Sequence, residues 1–220
     1  MKIKEFIKNF LIIFYPQRCP GCEKVIHKEE LFCSECMEEY KGINYKNYAQ
    51  GGYTCVSAVA YKGVFARAIL KFKFSGRKQY SRQLATLMAE AVKKNYSDID
   101  FDFITFVPLH QKRFKSRGYN QSELLAKELS ALLNIPIVNS LKKTRNNLPQ
   151  HELKASKRRE NVKGAYRVTD KILVADKVIL LIDDIITTGS TLGECAKTLV
   201  SANAREIYCA AFAISVVKTT

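Results

Sequence analysis

Val178-Ile-Leu-Leu-Ile-Asp183-Asp184-Ile-Ile-Thr187-Thr188-Gly189-Ser190-Thr191 is the stretch on which the reading of this chain turns. Five apolar residues from Val178 to Ile182, with no alternation, suit a strand buried on both faces. Two acids follow, and a loop of small hydroxylated residues then opens a helical run from Thr191 to Ser201. That order places backbone N–H groups and hydroxyls at a helix N-terminus, where an anion such as phosphate is favoured. Acids at the carboxyl end of a strand lie at the edge where open α/β sheets take ligands, and they can accept hydrogen bonds from sugar hydroxyls. The stretch is not a Walker loop, because it holds no Gly-Lys pair.

Outward from this motif, strands and helices take turns. Tyr53 to Tyr61 reads as a strand, and Val64 to Lys73 and Gln79 to Lys94 as helices. Phe101 to Val107 is a strand stopped by Pro108, and Gln121 to Leu133 is a helix with apolar Leu124, Leu125, Leu129 and Leu132. Ile137-Val138 reads as a short strand, and Glu206 to Ser215 as the last one. Such alternation predicts an α/β fold, a parallel sheet with flanking helices over residues 49–220. There is no internal repeat and no low-complexity tract.

The front of the chain is different. Cys19-Pro-Gly-Cys22 and, ten residues on, Cys33-Ser-Glu-Cys36 are two CxxC knuckles, each aiming two thiolates at one point. Together they match a closed tetrahedral site for structural Zn2+ formed by Cys19, Cys22, Cys33 and Cys36. Disulfides are the competing reading, disfavoured in a reducing compartment. Four thiolates saturate the metal, so His27 is read as a bystander. Cys55, Cys195 and Cys209 have no partner spacing and read as small core residues. Phe6, Phe10, Ile13 and Phe14 recur at helical spacing, so residues 1–48 are expected to hold an amphipathic helix and the zinc module.

Composition bounds the rest. The chain has 220 residues, 47% of them hydrophobic, with 12 Phe and 11 Tyr, which excludes intrinsic disorder. No apolar run near the start approaches the ~20 residues of a membrane span. Glu5, Lys8 and Asn9 break up a secretory signal, so a cytoplasmic protein is expected. The formal net charge of +15 favours polyanions, and the basic residues fall in three segments: Lys62 to Arg82, Lys112 to Arg117 and Lys142 to Arg167.

The quoted motif resembles the phosphoribosyl pyrophosphate signature of type I phosphoribosyltransferases. Beyond it, the four cysteines, Leu70-Lys-Phe-Lys-Phe-Ser-Gly-Arg77, Val107-Pro-Leu-His110, Arg117-Gly-Tyr-Asn-Gln121 and Arg145…Gln150…Arg158-Arg159…Asn161…Gly164-Ala-Tyr166 resemble the ComF family of competence-associated proteins. This resemblance covers nearly the whole chain. It implies a type I phosphoribosyltransferase-like domain behind a zinc module, and a role in DNA uptake with a partner in the uptake machinery such as a competence helicase. It implies that Asp183 and Asp184 hold the ribose hydroxyls, that Thr187, Thr188, Gly189, Ser190 and Thr191 hold the 5′-phosphate, and that Mg2+ sits on the pyrophosphate. The segment from Lys142 to Arg167 would then be the loop that closes over the ligand, with Arg145, Gln150, Arg158 and Arg159, joined by Arg117, as pyrophosphate clamps. A departure bears on catalysis. Hypoxanthine-type enzymes carry a carboxylate base where this chain has Thr187, so a base, if one is used, comes from elsewhere. His110 and His151 are the candidate imidazoles, and His110 as a histidine that positions the loop is the alternative reading. Basic and aromatic residues interleaved at Lys71, Lys73, Phe74, Arg77, Lys78 and Tyr119 are candidates for single-stranded DNA, with core packing of Leu70, Phe72 and Phe74 as the alternative.

Overall fold

The computed structural model describes residues 16–42, 45–145 and 160–215. The expected N-terminal helix with Phe6, Phe10, Ile13 and Phe14 lies outside the described residues, as do Gln150, His151, Arg158 and Arg159.

A five-stranded sheet runs in the order β1 (Tyr45–Tyr48), β2 (Thr54–Ala60), β7 (Glu206–Ile214), β6 (Val178–Ile186), β3 (Phe103–Phe106). The pairs β2–β7, β7–β6 and β6–β3 are parallel. The edge pair β1–β2 is antiparallel, so the sheet is mixed rather than purely parallel. Gly51 and Gly52 turn the chain between the two strands, and a two-strand hairpin can only be antiparallel. The sheet therefore begins at Tyr45, four residues ahead of the expected boundary at residue 49. A second, two-stranded antiparallel ribbon pairs β4 (Leu141–Lys143) with β5 (Tyr166–Val168), inside the segment expected to be loop. Ile137 makes only an isolated bridge to Ile104, so the short strand expected there reduces to one residue pair.

The helices are α1 (Ser34–Met37), α2 (Gly63–Phe74), α3 (Ser81–Asn95), α4 (Gln111–Arg117), α5 (Gln121–Leu133) and α6 (Ser190–Val200). Strand alternation sorts the core into two layers. Leu180, Ile182 and Phe212 meet Phe72, Leu84, Leu87 and Leu129 on the side of α2, α3 and α5. Ile179, Leu181, Cys55 and Cys209 meet Leu192, Cys195 and Leu199 of α6, with Tyr166 of β5, on the other. The three cysteines without partner spacing are thus core residues. Asn120 starts α5 by accepting the Ser122 N–H, and Asn134, with φ of 56°, ends it in the left-handed region.

The front module shares the first core layer. Cys19, Ile26, Phe32 and Cys36 are buried in the same cluster as Phe65, Phe72 and Phe212. Rings of Phe32, Phe65 and Phe212 meet edge to face in succession, with centroids 5.5 and 6.3 Å apart. Glu39 accepts the Val64 N–H at 3.0 Å and so caps α2 from the module side. At Gly21 a methyl group would meet Val64 Cγ1 at 2.6 Å and Cys36 Sγ at 3.0 Å, which is why the first knuckle needs glycine there.

Candidate functional site

The site lies where β6 runs past its apolar half. Strand pairing continues to Ile186, so Asp183 and Asp184 stand within the strand rather than after it. Successive residues of a strand face opposite sides, and the two acids find different partners. Asp184 is buried, and its Oδ2 lies 2.8 Å from the Lys73 ammonium at the end of α2. Asp183 accepts a hydrogen bond from Ser122 Oγ of α5 at 2.9 Å and another from the Asp184 N–H at 2.8 Å. Burial, then the neighbouring charge of Asp184, pushes the Asp183 carboxyl up to about 7; Lys73 and the two donors only partly offset this.

The loop after the acids is shaped by close approach. Gly189 has φ of 69°, and a Cβ there would stand 2.9 Å from the Ala49 Cα and 3.0 Å from the Gln50 N. Its carbonyl accepts the Gln50 N–H and the Gly193 N–H, which locks the β1–β2 turn against the first turn of α6. No side chain caps α6 at Gly189, so the helix N-terminus presents backbone to the hollow in front of it. That hollow is lined by Asp183, Ile185, Ile186, Thr187, Gly189, Ser190, Thr191 and Leu192. Thr187 and Thr188 are exposed, and the hydroxyls of Thr188 and Ser190 lie 2.8 Å apart. Thr187, Gly189, Ser190 and Thr191 therefore come together with Asp183 around one concavity, while Thr188 joins it through Ser190 and Asp184 turns to Lys73.

Cations converge on the same edge from elements that sequence reasoning did not connect. Lys143 of β4 stands 5.2 Å over the Tyr166 ring, and burial, followed by the Arg113 charge, lowers its pKa. The Asp183 charge acts on Lys143 in the opposite sense, and it helps push up the Tyr166 phenol, on which burial is the main influence. No local pattern marks Ser122, whereas Lys143 and Tyr166 fall in the segment expected to close over the ligand; the fold brings all three towards the acid pair.

Other candidates sit elsewhere. His110 caps α4, its Nδ1 accepting the Lys112 N–H at 3.3 Å. Arg117 donates to Gln121 Oε1 at 2.9 Å and its guanidinium lies 5.0 Å over the Phe74 ring, so it is not aimed at the acid pair as a pyrophosphate clamp. Arg145 is exposed and reaches the Lys163 carbonyl at 3.4 Å, at the mouth of the β4–β5 ribbon. Tyr119 is a correction: it is buried, its hydroxyl donates to the Phe72 carbonyl, and its ring packs on Phe72, so no base can stack on it. Lys73, held by Asp184, belongs to the acid pair. Lys71 donates to the Gly21 carbonyl at 3.2 Å, and Arg77 pairs with Glu23 at 3.0 Å, so both clamp the first cysteine knuckle instead of lying free for DNA. Phe74 is 61% exposed, and Lys78 lies 5.0 Å over the Tyr119 ring.

The four cysteines of the front module gather as their spacing predicts. Their sulfur atoms all lie within 4.8 Å of one another, with Cys22 and Cys33 3.5 Å apart. A tetrahedron of zinc–sulfur bonds of ~2.3 Å sets sulfurs roughly 3.8 Å apart, so the cage fits a structural Zn2+. Burial and then the neighbouring thiols push Cys36 up, and a bound cation would favour its thiolate form.

Residues 119–216 match the family model of the phosphoribosyl transferase domain, and residues 10–47 that of the double zinc ribbon domain. Competence protein F of Haemophilus influenzae is 33% identical over 204 residues, covering 86% of each chain. DNA utilization protein YhgH of Escherichia coli is 29% identical over 87% of this chain and 82% of its own. Competence protein ComFC of Streptococcus pneumoniae is 28% identical over 87% of this chain and 78% of its own. Among solved structures, an adenine phosphoribosyltransferase is 14% identical, covering 83% of this chain and 90% of that one, with a TM-score of 0.41. With a zinc ribbon in front, a phosphoribosyltransferase-type domain behind and relatives matched over most of their length, the chain belongs to the competence protein F family.

Proposed function

We propose that this protein binds phosphoribosyl pyrophosphate at the acid pair and loop of β6 and α6, and handles single-stranded DNA during uptake in the cytoplasm. The observation that carries the first half is the concavity itself: the Asp183 carboxylate, with Asp184 next to it in the strand, beside an uncapped helix N-terminus that begins at a left-handed glycine. The carboxylates suit ribose hydroxyls, and the N–H groups with the Thr187, Thr188, Ser190 and Thr191 hydroxyls suit the 5′-phosphate. Asp183 and Asp184 are hard oxygen donors of the kind Mg2+ takes, and the ion would neutralise the pyrophosphate. Lys73 and Lys143 supply further positive charge at that edge. The DNA half rests on the family's competence and DNA-utilization members and on the +15 charge.

The test of the ligand is thermal. Phosphoribosyl pyrophosphate with Mg2+ should raise the melting temperature by mass action, because it binds the folded state only. In the Asp183→Asn, Asp184→Asn double variant the shift should vanish while the fold survives; an unchanged shift would place the ligand elsewhere.

A second reading, a working transferase on a base or nucleotide, is favoured by one observation. A carboxyl brought to about 7, as at Asp183, can take a proton near neutral pH, which Thr187 cannot. Release of pyrophosphate across a panel of acceptors, single-stranded DNA included, decides it.

A further inference from the structure

Most of the cations and one of the rings first read as DNA contacts are engaged within the protein, and what remains exposed forms a different surface. Helix α4, Gln111–Arg117, buries none of its residues. Four of its seven positions are basic, Lys112, Arg113, Lys115 and Arg117, and none is acidic. Lys112 and Lys115 are three apart, a spacing at which like charges repel along a helix. A short helix without a buried face depends on its ends: His110 caps the start and Gly118, with φ of 78°, closes it.

Two phenylalanines stand beside this charge with their rings in water. Phe114, in the middle of α4, is 46% exposed, and Phe74, at the end of α2, is 61% exposed. The Arg117 guanidinium lies 5.0 Å over the Phe74 ring, which ties α4 to the end of α2 and fixes that ring's attitude. Lys78 lies close by, over Tyr119, whose own ring packs on Phe72. The surface therefore holds two exposed rings, one of them oriented by Arg117, with cations beside them.

We propose that the surface formed by Phe74, Phe114, Arg117, Lys112, Lys115 and Lys78 is the docking platform for single-stranded nucleic acid, an inference that rests on the DNA-handling reading above and gives it an address. Charge complementarity selects a polyanion, since a phosphate backbone relieves the repulsion along α4. The exposed rings select a single strand, because unpaired bases offer faces to stack while a duplex keeps them hidden. The platform also adjoins the phosphoribosyl site. Phe74 follows Lys73, whose ammonium holds Asp184, and α4 leaves β3 through Pro108 and His110 at the edge where β6 carries the acids. A strand on the platform lies beside the ligand concavity, not on the far side of the molecule.

Fluorescence anisotropy of a labelled 20-nucleotide oligothymidylate with the full chain tests this. Phe114→Ala and Phe74→Leu should each weaken binding about tenfold at fixed salt, the scale of one lost base stack, while leaving the salt dependence unchanged. Lys112→Ala with Lys115→Ala should instead flatten the log–log salt slope by about 0.7 per lost phosphate contact. Melting temperatures near that of the unmodified chain confirm that each variant is folded, and Phe74→Leu keeps apolar bulk at that position while removing the stacking face. A duplex of equal length should bind more weakly. If the unmodified protein binds the oligonucleotide and both ring variants match it, the platform is elsewhere and the DNA reading stands. Equal duplex binding with neutral ring variants means a merely cationic surface, suited to an acidic protein partner, and overturns the proposal. Absence of any oligonucleotide binding at 50 mM salt overturns both the DNA reading and the platform.

Discussion

At the scale of single residues, the acid pair divides its work through its surroundings. Asp184 is neutralised by Lys73, whereas Asp183 accepts from Ser122 and the Asp184 N–H and, among the described residues, pairs with no cation, and its carboxyl is held up to about 7. Because that value is raised above the unfolded one, the folded state keeps the proton longer, and stability tied to it is lost as pH rises from the ordinary carboxylate range through about 7. Asp183→Asn removes the penalty. The variant should melt higher than the unmodified protein at pH 8, with the gap closing toward pH 5; a gap constant across that range would show that Asp183 does not titrate there. Lys73→Met leaves the Asp184 carboxylate buried and unpaired, and should cost up to about 3 kcal/mol of unfolding free energy in a denaturant titration. Glycines give a further contrast. A Cβ at Gly193 would meet the Gln50 carbonyl oxygen at 2.1 Å, while at Gly76, with φ of 67°, it would meet nothing within 4 Å. Gly193→Ala should thus destabilise by overpacking the α6–turn contact, well beyond the roughly 1 kcal/mol of backbone strain expected for Gly76→Ala. Thermal melts of the two variants side by side check the order.

At the scale of elements, the sequence told most where apolar runs were long. Val178–Ile182 and Glu206–Ser215 announced the two central strands because burial on both faces leaves no polar interruption. The strand Tyr45–Tyr48 was missed because Tyr-Lys-Asn-Tyr is an exposed edge with no apolar face. The ribbon of β4 and β5 was hidden for a similar reason: Leu-Lys-Lys and Tyr-Arg-Val are short and basic, and each buries a single residue. The loop Thr187–Thr191 was legible because a strand, small residues and a helix start are local features. The contacts of Lys73 with Asp184 and of Ser122 with Asp183 bridge residues far apart in the chain, and no local pattern encodes them. Tyr119 shows the same limit from the other side. An aromatic among cations looks like a stacking platform in one dimension, and becomes core once α5 folds against α2. Helix α2 is the element with most consequences. Its start is capped by Glu39, Lys71 near its end grips the Gly21 carbonyl, and Lys73 holds Asp184. Removing one zinc ligand by Cys22→Ser should therefore lower the melting temperature of the whole molecule in a single transition, with less than about one zinc per chain by elemental analysis. Two separated transitions, the second unchanged, would show the module to be thermally independent.

At the scale of the molecule, composition foretold enough apolar content for a real core, and a positive surplus of 15 charges pointed to polyanions without saying where they dock. Folding divides that surplus: Lys71 and Arg77 pair with Glu23 and Lys73 with Asp184, while Lys112 and Lys115 of α4 stand exposed. Among the described residues no helix is long and apolar enough to cross a membrane. The shared core layer has a practical sequel for anyone dissecting the protein. A shortened chain beginning at residue 49 would strip Phe32, Ile26 and Cys36 from Phe65 and Val64, and would leave α2 without its Glu39 cap. Apolar surface bared in that way invites self-association. Expressed alone, such a fragment should therefore collect in inclusion bodies, and the smallest soluble piece that still answers to ligand should carry its cysteines with it.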